Sequence, residues 1–243
     1  MKVDILAIGV HPDDVELSAC GTLLAHAARG YSFGLLDLTR GELGTRGTAD
    51  IRDAEAAEAA RRMGAAFRRN LGMADGFLRN TEDNVRRIAT ALRQYRPDIV
   101  LANAPADRHP DHGRAARLTS EACFYSGLRK MVTHGADGTV QAPWRPRAVY
   151  HYIQDRNLKP DFVVDITDHF EGKMHCIAAY VSQFNDHEDN AYRGEDSTPI
   201  SGSDFMAFLA AKARNFGREA GYTMAEGFTV DRYSGVRDLF DLD

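Results

Sequence analysis

Short apolar runs alternate with stretches of helical period along most of this chain, and that alternation restricts the fold more than any other feature. Val3 to Val10 is nearly continuous apolar sequence, interrupted by Asp4 and ended by His11, the pattern of a strand covered on both faces. Glu16 to Gly30 repeats apolar residues at helical spacing, with Arg29 in the last turn and Gly30 placed to end it. Ser32 to Leu38 reads as a second strand and Ile51 to Met63 as a helix stopped by Gly64. Ala66 to Leu71 is a short strand, and Asn84 to Tyr95 an amphipathic helix broken by Pro97. Asp98 to Asn103 and Gly113 to Tyr125 supply another strand and helix, so the first half runs βαβαβαβα. Such units imply a parallel sheet with right-handed crossovers. The fold class expected is α/β, a Rossmann-like three-layer sandwich with a mostly parallel sheet.

The second half is less regular. Ser126 to Pro146 is punctuated by Gly and Pro and predicts a small hairpin or excursion. Ala148 to Ile153 and Phe162 to Ile166 read as strands, Phe170 to Gln183 as a helix, and Asp204 to Ala220 as a last helix. A polar stretch fills Asn185 to Ser201, and the tail after Gly221 shows no clear period. With no internal repeat or linker-like run, the 243 residues read as a single domain, 1–243, whose late elements from about 185 to 243 shape the pocket.

Charge and cysteine usage narrow the function classes. Thirty-five acidic against 30 basic side chains leave a net charge of −5, which favours neither nucleic acid nor an anionic membrane surface and leaves a small-molecule substrate. Cys20, Cys123 and Cys176 form no paired motif, so reduced, buried thiols are expected. The first apolar run is too short for a signal peptide, and no stretch approaches 18 apolar residues. These features place the chain in the cytoplasm.

Two clusters carry the chemistry. His11-Pro12-Asp13-Asp14-Val15-Glu16 sits where the first strand ends and the first helix begins, the position at which open α/β sheets bind ligands. Asp107-Arg108-His109-Pro110-Asp111-His112 occupies the same kind of junction after a later strand. With the common strand order 3-2-1-4-5, the two junctions are neighbours at the topological switch point. His11, Asp14 and His112 could then converge on one divalent metal, a set matching catalytic zinc with its open position. Asp13 would accept a proton from water, and His109, oriented by Asp111, would donate to an oxyanion and then to a leaving amine. Together these parts describe a hydrolase of an amide or ester. Non-haem iron oxygenases share the ligand set, but their sites commonly sit on β-barrels and have no use for Asp13, His109 and Asp111. A non-catalytic Rossmann module would not need metal ligands, and no Gly-x-Gly-x-x-Gly follows the first strand.

Over nearly its whole length the chain resembles the LmbE-like, or PIG-L, family of zinc-dependent N-acetylglucosaminyl deacetylases. The resemblance rests on His11 to Glu16, Thr39-Arg40-Gly41-Glu42, Arg52 to Glu55 and His109 to His112. It implies zinc at His11, Asp14 and His112, with Fe2+ and other divalent ions as alternatives, and Asp13 as general base. The family's glycine-rich run after the first motif survives only in part, as Ser18-Ala19-Cys20-Gly21. Gly41 to Thr48 and Asn185 to Ser201 look like the branch that deacetylates N-acetylglucosaminyl malate in bacillithiol biosynthesis. The runner-up is a deacetylase of N-acetylglucosamine, chitooligosaccharide or another N-acyl sugar. For a dicarboxylate aglycone, Arg52, Arg108 and Arg193 are candidate anion partners, and Tyr192 matches a late-loop tyrosine that reaches the active site in similar enzymes. The resemblance also implies a homo-oligomer, similar enzymes often being hexamers. Asp75 reads as an Asp-Gly turn, and His26, His134, His151, His169, His175 and His187 as surface or satisfied histidines.

Overall fold

Seven strands form one sheet in the order β3-β2-β1-β4-β5-β7-β6, and helices cover both faces. The structure, a computed structural model, describes residues 1–184, 192 and 195–241. The strands are β1 (Ile5–Gly9), β2 (Phe33–Asp37), β3 (Arg68–Asn70), β4 (Ile99–Ala102), β5 (Ala148–Tyr152), β6 (Phe162–Asp165) and β7 (Ala225–Val230). The helices are α1 (Asp14–Ala28), α2 (Ala49–Met63), α3 (Glu82–Tyr95), α4 (Pro110–Ser126), α5 (Phe170–Ile177), α6 (Val181–Phe184) and α7 (Ser203–Ala220). The first five strands are parallel, whereas β7 runs antiparallel to both β5 and β6.

The central strands are buried on both faces, as their unbroken apolar sequence requires. On one side Leu6, Ile8 and Leu36 pack with Val85, Ile88 and Leu92 of α3 and Leu118 and Ala122 of α4. On the other, Ile5, Ala7 and Leu35 meet Val15, Ala19 and Leu23 of α1 and Cys176 of α5. Local chemistry sets the helix ends. Thr48 and Thr81 accept from the N–H groups of Ile51 and Asn84 and so cap α2 and α3, while Arg96, ahead of Pro97, closes α3.

The chain goes beyond its sequence pattern or departs from it at four places. Helix α4 begins at Pro110, with His109 as its N-cap, so Asp111 and His112 lie in its first turn. The 126–146 stretch holds one isolated bridge, His134 to Val140, among the described residues, and no full hairpin. The guanidinium of Arg93 organises it instead, donating to the carbonyls of Ser126, Leu128 and Met131 and to Thr133 Oγ1. The helix expected over 170–183 breaks between α5 and α6, where buried Tyr180 turns inward and donates to Glu16 at 2.9 Å. The patternless tail contains β7, whose central carboxylate, Glu226, is buried against Lys173 at 2.7 Å and accepts from the Gly21 and Thr22 N–H groups of α1.

Candidate active site and metal centre

The β1 and β4 strands are hydrogen-bonded neighbours, so the junctions that follow them open side by side where the strand order reverses. His11 follows β1, Asp14 opens α1, and His112 sits in the first turn of α4. His11 Nδ1 lies 3.8 Å from Asp14 Oδ2, and His112 Nε2 lies 3.2 Å from Asp14 Oδ1. Donor atoms about 2.1 Å from a tetrahedral ion stand roughly 3.4 Å apart. Each imidazole comes near that distance from a different oxygen of Asp14, so the three would share one cation with Asp14 binding through both oxygens or turning one toward both rings. Nitrogens of His11, His109 and His112 also approach within 4.8 Å of one another.

Hydrogen bonds to the outer nitrogens separate the three imidazoles. His11 Nε2 meets Asp75 Oδ1 at 2.8 Å, and His112 Nδ1 meets Asp107 Oδ2 at 2.5 Å. A carboxylate in that position orients a metal-binding imidazole and strengthens it as a ligand. His109 Nδ1 instead accepts the Asp111 main-chain N–H at 3.2 Å, which leaves its proton on Nε2. The Asp111 carboxylate is taken by Arg114 at 2.7 Å and by the Leu78 N–H, so Asp111 orients His109 through its backbone and not, as the sequence suggested, through its side chain.

The electrostatics favour a cation. Burial works against charge on His11, but hydrogen bonds with Asp14 and Asp75 outweigh it and carry the imidazole up to about 9. Burial likewise opposes charge on His112, and the Asp14 and Asp107 carboxylates overcome it, raising the ring to about 10. Carboxylates that hold two buried imidazoles protonated form a site at which a divalent cation would displace protons and take up the same negative field. Asp14 itself accepts from Asn103 Nδ2 at 2.9 Å and Gln154 Nε2 at 3.1 Å, which pins both its oxygens.

Asp13 stands beside this cluster with a backbone φ of 118°, a left-handed conformation that a non-glycine residue holds only under constraint. Arg52 provides the constraint. Its Nη2 donates to Pro12 O at 2.8 Å and to Asp13 Oδ2 at 3.1 Å, and its Nη1 donates to Gly41 O. A Cβ at position 41 would fall 2.1 Å from Arg52 Nη1, and Gly41 has φ 66°, so glycine is required there on both counts. Burial pushes the Asp13 carboxyl up to about 7 even though Arg52 pulls it down. Arg52, expected at a substrate anion, is therefore committed to Asp13 and the surrounding backbone.

These groups line a cavity of about 350 Å³, a size suited to a sugar. Arg108, whose side chain is about half exposed, also lines it, paired with Asp155 at 2.9 Å. Tyr192 is half-buried, its carbonyl accepts from Arg46, and it is absent from the cavity wall formed by the described residues. Arg193 lies outside the described residues. The sequence reading missed the orienting roles of Asp75, Asp107, Asn103 and Gln154. Asp107 had a signal, a carboxylate five residues before a candidate ligand. Asp75 and Gly76, expected as a turn, form a bend in which the Gly76 N–H donates to the Asp75 carboxylate, and the same carboxylate also grips His11 while the Asp75 N–H donates to Glu42.

Residues 6–123 match the family described as PIG-L, GlcNAc-PI de-N-acetylase. The diacetylchitobiose deacetylase of Thermococcus kodakarensis is 30% identical over 237 residues, covering 92% of this chain and 81% of that protein. A probable N-acetyl-alpha-D-glucosaminyl L-malate deacetylase 2 of Bacillus anthracis is 30% identical over 194 residues, 74% of this chain and 81% of that one. The 4-oxalmesaconate hydratase of Pseudomonas putida is 26% identical over 191 residues, 73% of each chain. The crystal structure of the conserved protein TT1542 from Thermus thermophilus superposes with a TM-score of 0.83 at 36% identity, covering 97% of this chain and 98% of that one. With this agreement in sequence and fold, the chain belongs to the PIG-L, or LmbE-like, family of deacetylases.

Proposed function

We propose that this protein is a zinc-dependent deacetylase that hydrolyses the N-acetyl group of N-acetylglucosaminyl malate. The observation that carries hydrolysis is the grouping of two carboxylate-gripped imidazoles on Asp14 with an uncoordinated carboxyl, Asp13, and a single outward N–H on His109. Held by His11, Asp14 and His112, zinc would polarise the acetyl carbonyl and acidify water. Asp13, steadied by Arg52, takes the proton of the attacking water as oxygen adds to the carbonyl carbon. His109 Nε2–H donates to the oxyanion that forms. Because Nδ1 of His109 is filled by a backbone N–H, loss of the Nε2 proton would leave an imidazolate. Asp13 is therefore the group we assign to return the proton to the amine as the C–N bond breaks, a step for which the sequence pattern pointed to His109. Acetate and the free glucosaminyl conjugate leave.

The malate conjugate is supported by the Bacillus anthracis relative and by Arg108 in the cavity wall. The Thermococcus kodakarensis relative, matched over more of the chain, favours a second reading in which the substrate is a neutral N-acetylated oligosaccharide. The test is acetate release from N-acetylglucosaminyl malate beside plain N-acetylglucosamine and diacetylchitobiose, with wild type and Asp13→Asn. Preference for the malate conjugate is expected, with a loss of roughly 10²- to 10⁴-fold in kcat in the variant while metal stays bound. Greater activity on the neutral sugars would move the substrate to the second reading. Absence of acetate from every substrate would overturn deacetylation and bring forward hydration, the activity named for the Pseudomonas putida relative.

A further inference from the structure

Lys212 projects from α7 to the same cavity, and the catalytic groups make no use of it. Its Nζ donates to the carbonyl of Ile153 at 3.1 Å. That carbonyl directly follows β5 and precedes Gln154, which holds Asp14, and Asp155, which holds Arg108. The ammonium thus lines the cavity that also holds His11, Asp14, His112 and Arg108, and it is tied to the strand end from which Gln154 and Asp155 follow. The Phe208 and Phe216 rings flank it at 6.0 and 5.8 Å. They offer a weak cation–π attraction and exclude water.

The acids around Lys212 are already engaged. Asp107 is bonded to His112, Asp155 to Arg108 and Glu226 to Lys173. Among the described residues Lys212 forms no ion pair, and an ammonium has three donors of which one is used here. Lys212 is half-buried, and its partial loss of water pulls the group down to about 8, with the nearby charge of Lys173 acting in the same direction and the Asp107, Asp155 and Glu226 carboxylates against it. A cation taken out of water without a carboxylate costs free energy unless a ligand supplies the anion. The blander alternative is a lysine whose stem packs against Phe208 and Phe216 and whose head serves only to tie α7 to β5.

We propose that Lys212 is a specificity-determining residue that binds a carboxylate on the aglycone of the substrate, beside Arg108. The proposal rests on the deacetylase reading above and deepens it, since an anionic aglycone satisfies this ammonium and a neutral oligosaccharide does not. Arg108 would have to leave Asp155 to serve a carboxylate, whereas two donors of Lys212 are free among the described groups.

The experiment compares wild type, Lys212→Met and Lys212→Arg on N-acetylglucosaminyl malate and on methyl N-acetylglucosaminide, with free L-malate as an inhibitor of the neutral reaction. Lys212→Met should raise KM for the malate conjugate about 10- to 100-fold and abolish inhibition by malate. It should leave kcat and the neutral substrate unchanged, which also reports an intact fold. Lys212→Arg should keep the acid preference. If wild type prefers the malate conjugate and Lys212→Met keeps that preference, the role of Lys212 is overturned and the substrate reading stands. If wild type shows no acid preference and malate does not inhibit, the malate reading fails and the carboxylate role fails with it.

Discussion

At the scale of single residues, the site separates groups that hold chemistry from groups that aim it, and the second kind was the harder to read. His11, Asp14 and His112 stand at strand-to-helix junctions, so their convergence followed from topology once two such clusters were seen. Their partners Asp75 and Gln154 come from other loops and strands with no local spacing to the motifs, and Asn103, directly after β4 and four residues before Asp107, carries no residue type that marks it as a partner of Asp14. Arg52 shows the opposite difficulty. A guanidinium near a proposed anion site looks like a substrate contact, yet its hydrogen bonds are spent on Asp13 and two carbonyls. The orienting role of Asp107 gives a direct prediction. Asp107→Asn keeps the size of the side chain and removes the charge that grips His112 Nδ1. Zinc affinity should fall roughly 10- to 100-fold, as measured by competition with a chromophoric chelator. An unchanged affinity would show that the Asp107 contact does not support a metal-binding imidazole.

At the scale of elements, strands and helices with strong periods were legible, and those shaped by buried polar groups were not. The β1 and β4 strands carry unbroken apolar sequence, β2 does so up to Asp37 at its end, and all three sit where the pattern put them. Strand β7 was missed because Glu226 and Gly227 interrupt its apolar run, and burial of Glu226 makes sense only once Lys173 and the α1 backbone are in place. The stretch after α4, expected as a small hairpin or excursion, is the excursion, and what orders it was hidden for a similar reason: it is Arg93, a distant residue on α3. Its guanidinium is buried, has no carboxylate partner among the described residues, and meets three carbonyls and one hydroxyl. Arg93→Ala removes these charge-assisted bonds and leaves buried carbonyls unsatisfied, at a cost of about 2–4 kcal/mol. For a chain of this length that corresponds to a fall in Tm of roughly 5–15 °C. Hydrogen exchange should rise between residues 126 and 133 while the start of α1 stays protected. A change in Tm within about 1 °C would mean that the carbonyls find water and that Arg93 does not hold the segment.

At the scale of the whole molecule, the sheet makes one site from two distant parts of the sequence. Residues 11–14 and 107–112 are about a hundred positions apart, and the parallel pairing of β1 with β4 brings them together. The same side of the fold carries a buried charged layer under α1, in which Arg68 bridges Glu16 at 2.5 Å and Asp37 at 2.7 Å while Tyr180 donates to Glu16. This layer supports α1 from below, so the metal cluster lies between two rigid parts of the core, one on β1 and α1 and the other on β4 and α4. A cation bound there would join them in the folded state only, because the unfolded chain separates its ligands. Zinc at about 100 times its Kd should then stabilise the fold by about 2.7 kcal/mol. Removing it with a chelator should lower Tm by roughly 5–10 °C, reversibly on adding zinc. The loss should be local in hydrogen exchange, concentrated at the starts of α1 and α4, with α3 little changed because it carries no ligand and packs against the later turns of α4, around Ala115, Leu118 and Ala122, and not against its first turn. A Tm that ignores both chelator and zinc would mean that His11, Asp14 and His112 hold no metal, and the paired imidazoles would then be a proton-sharing network in their own right.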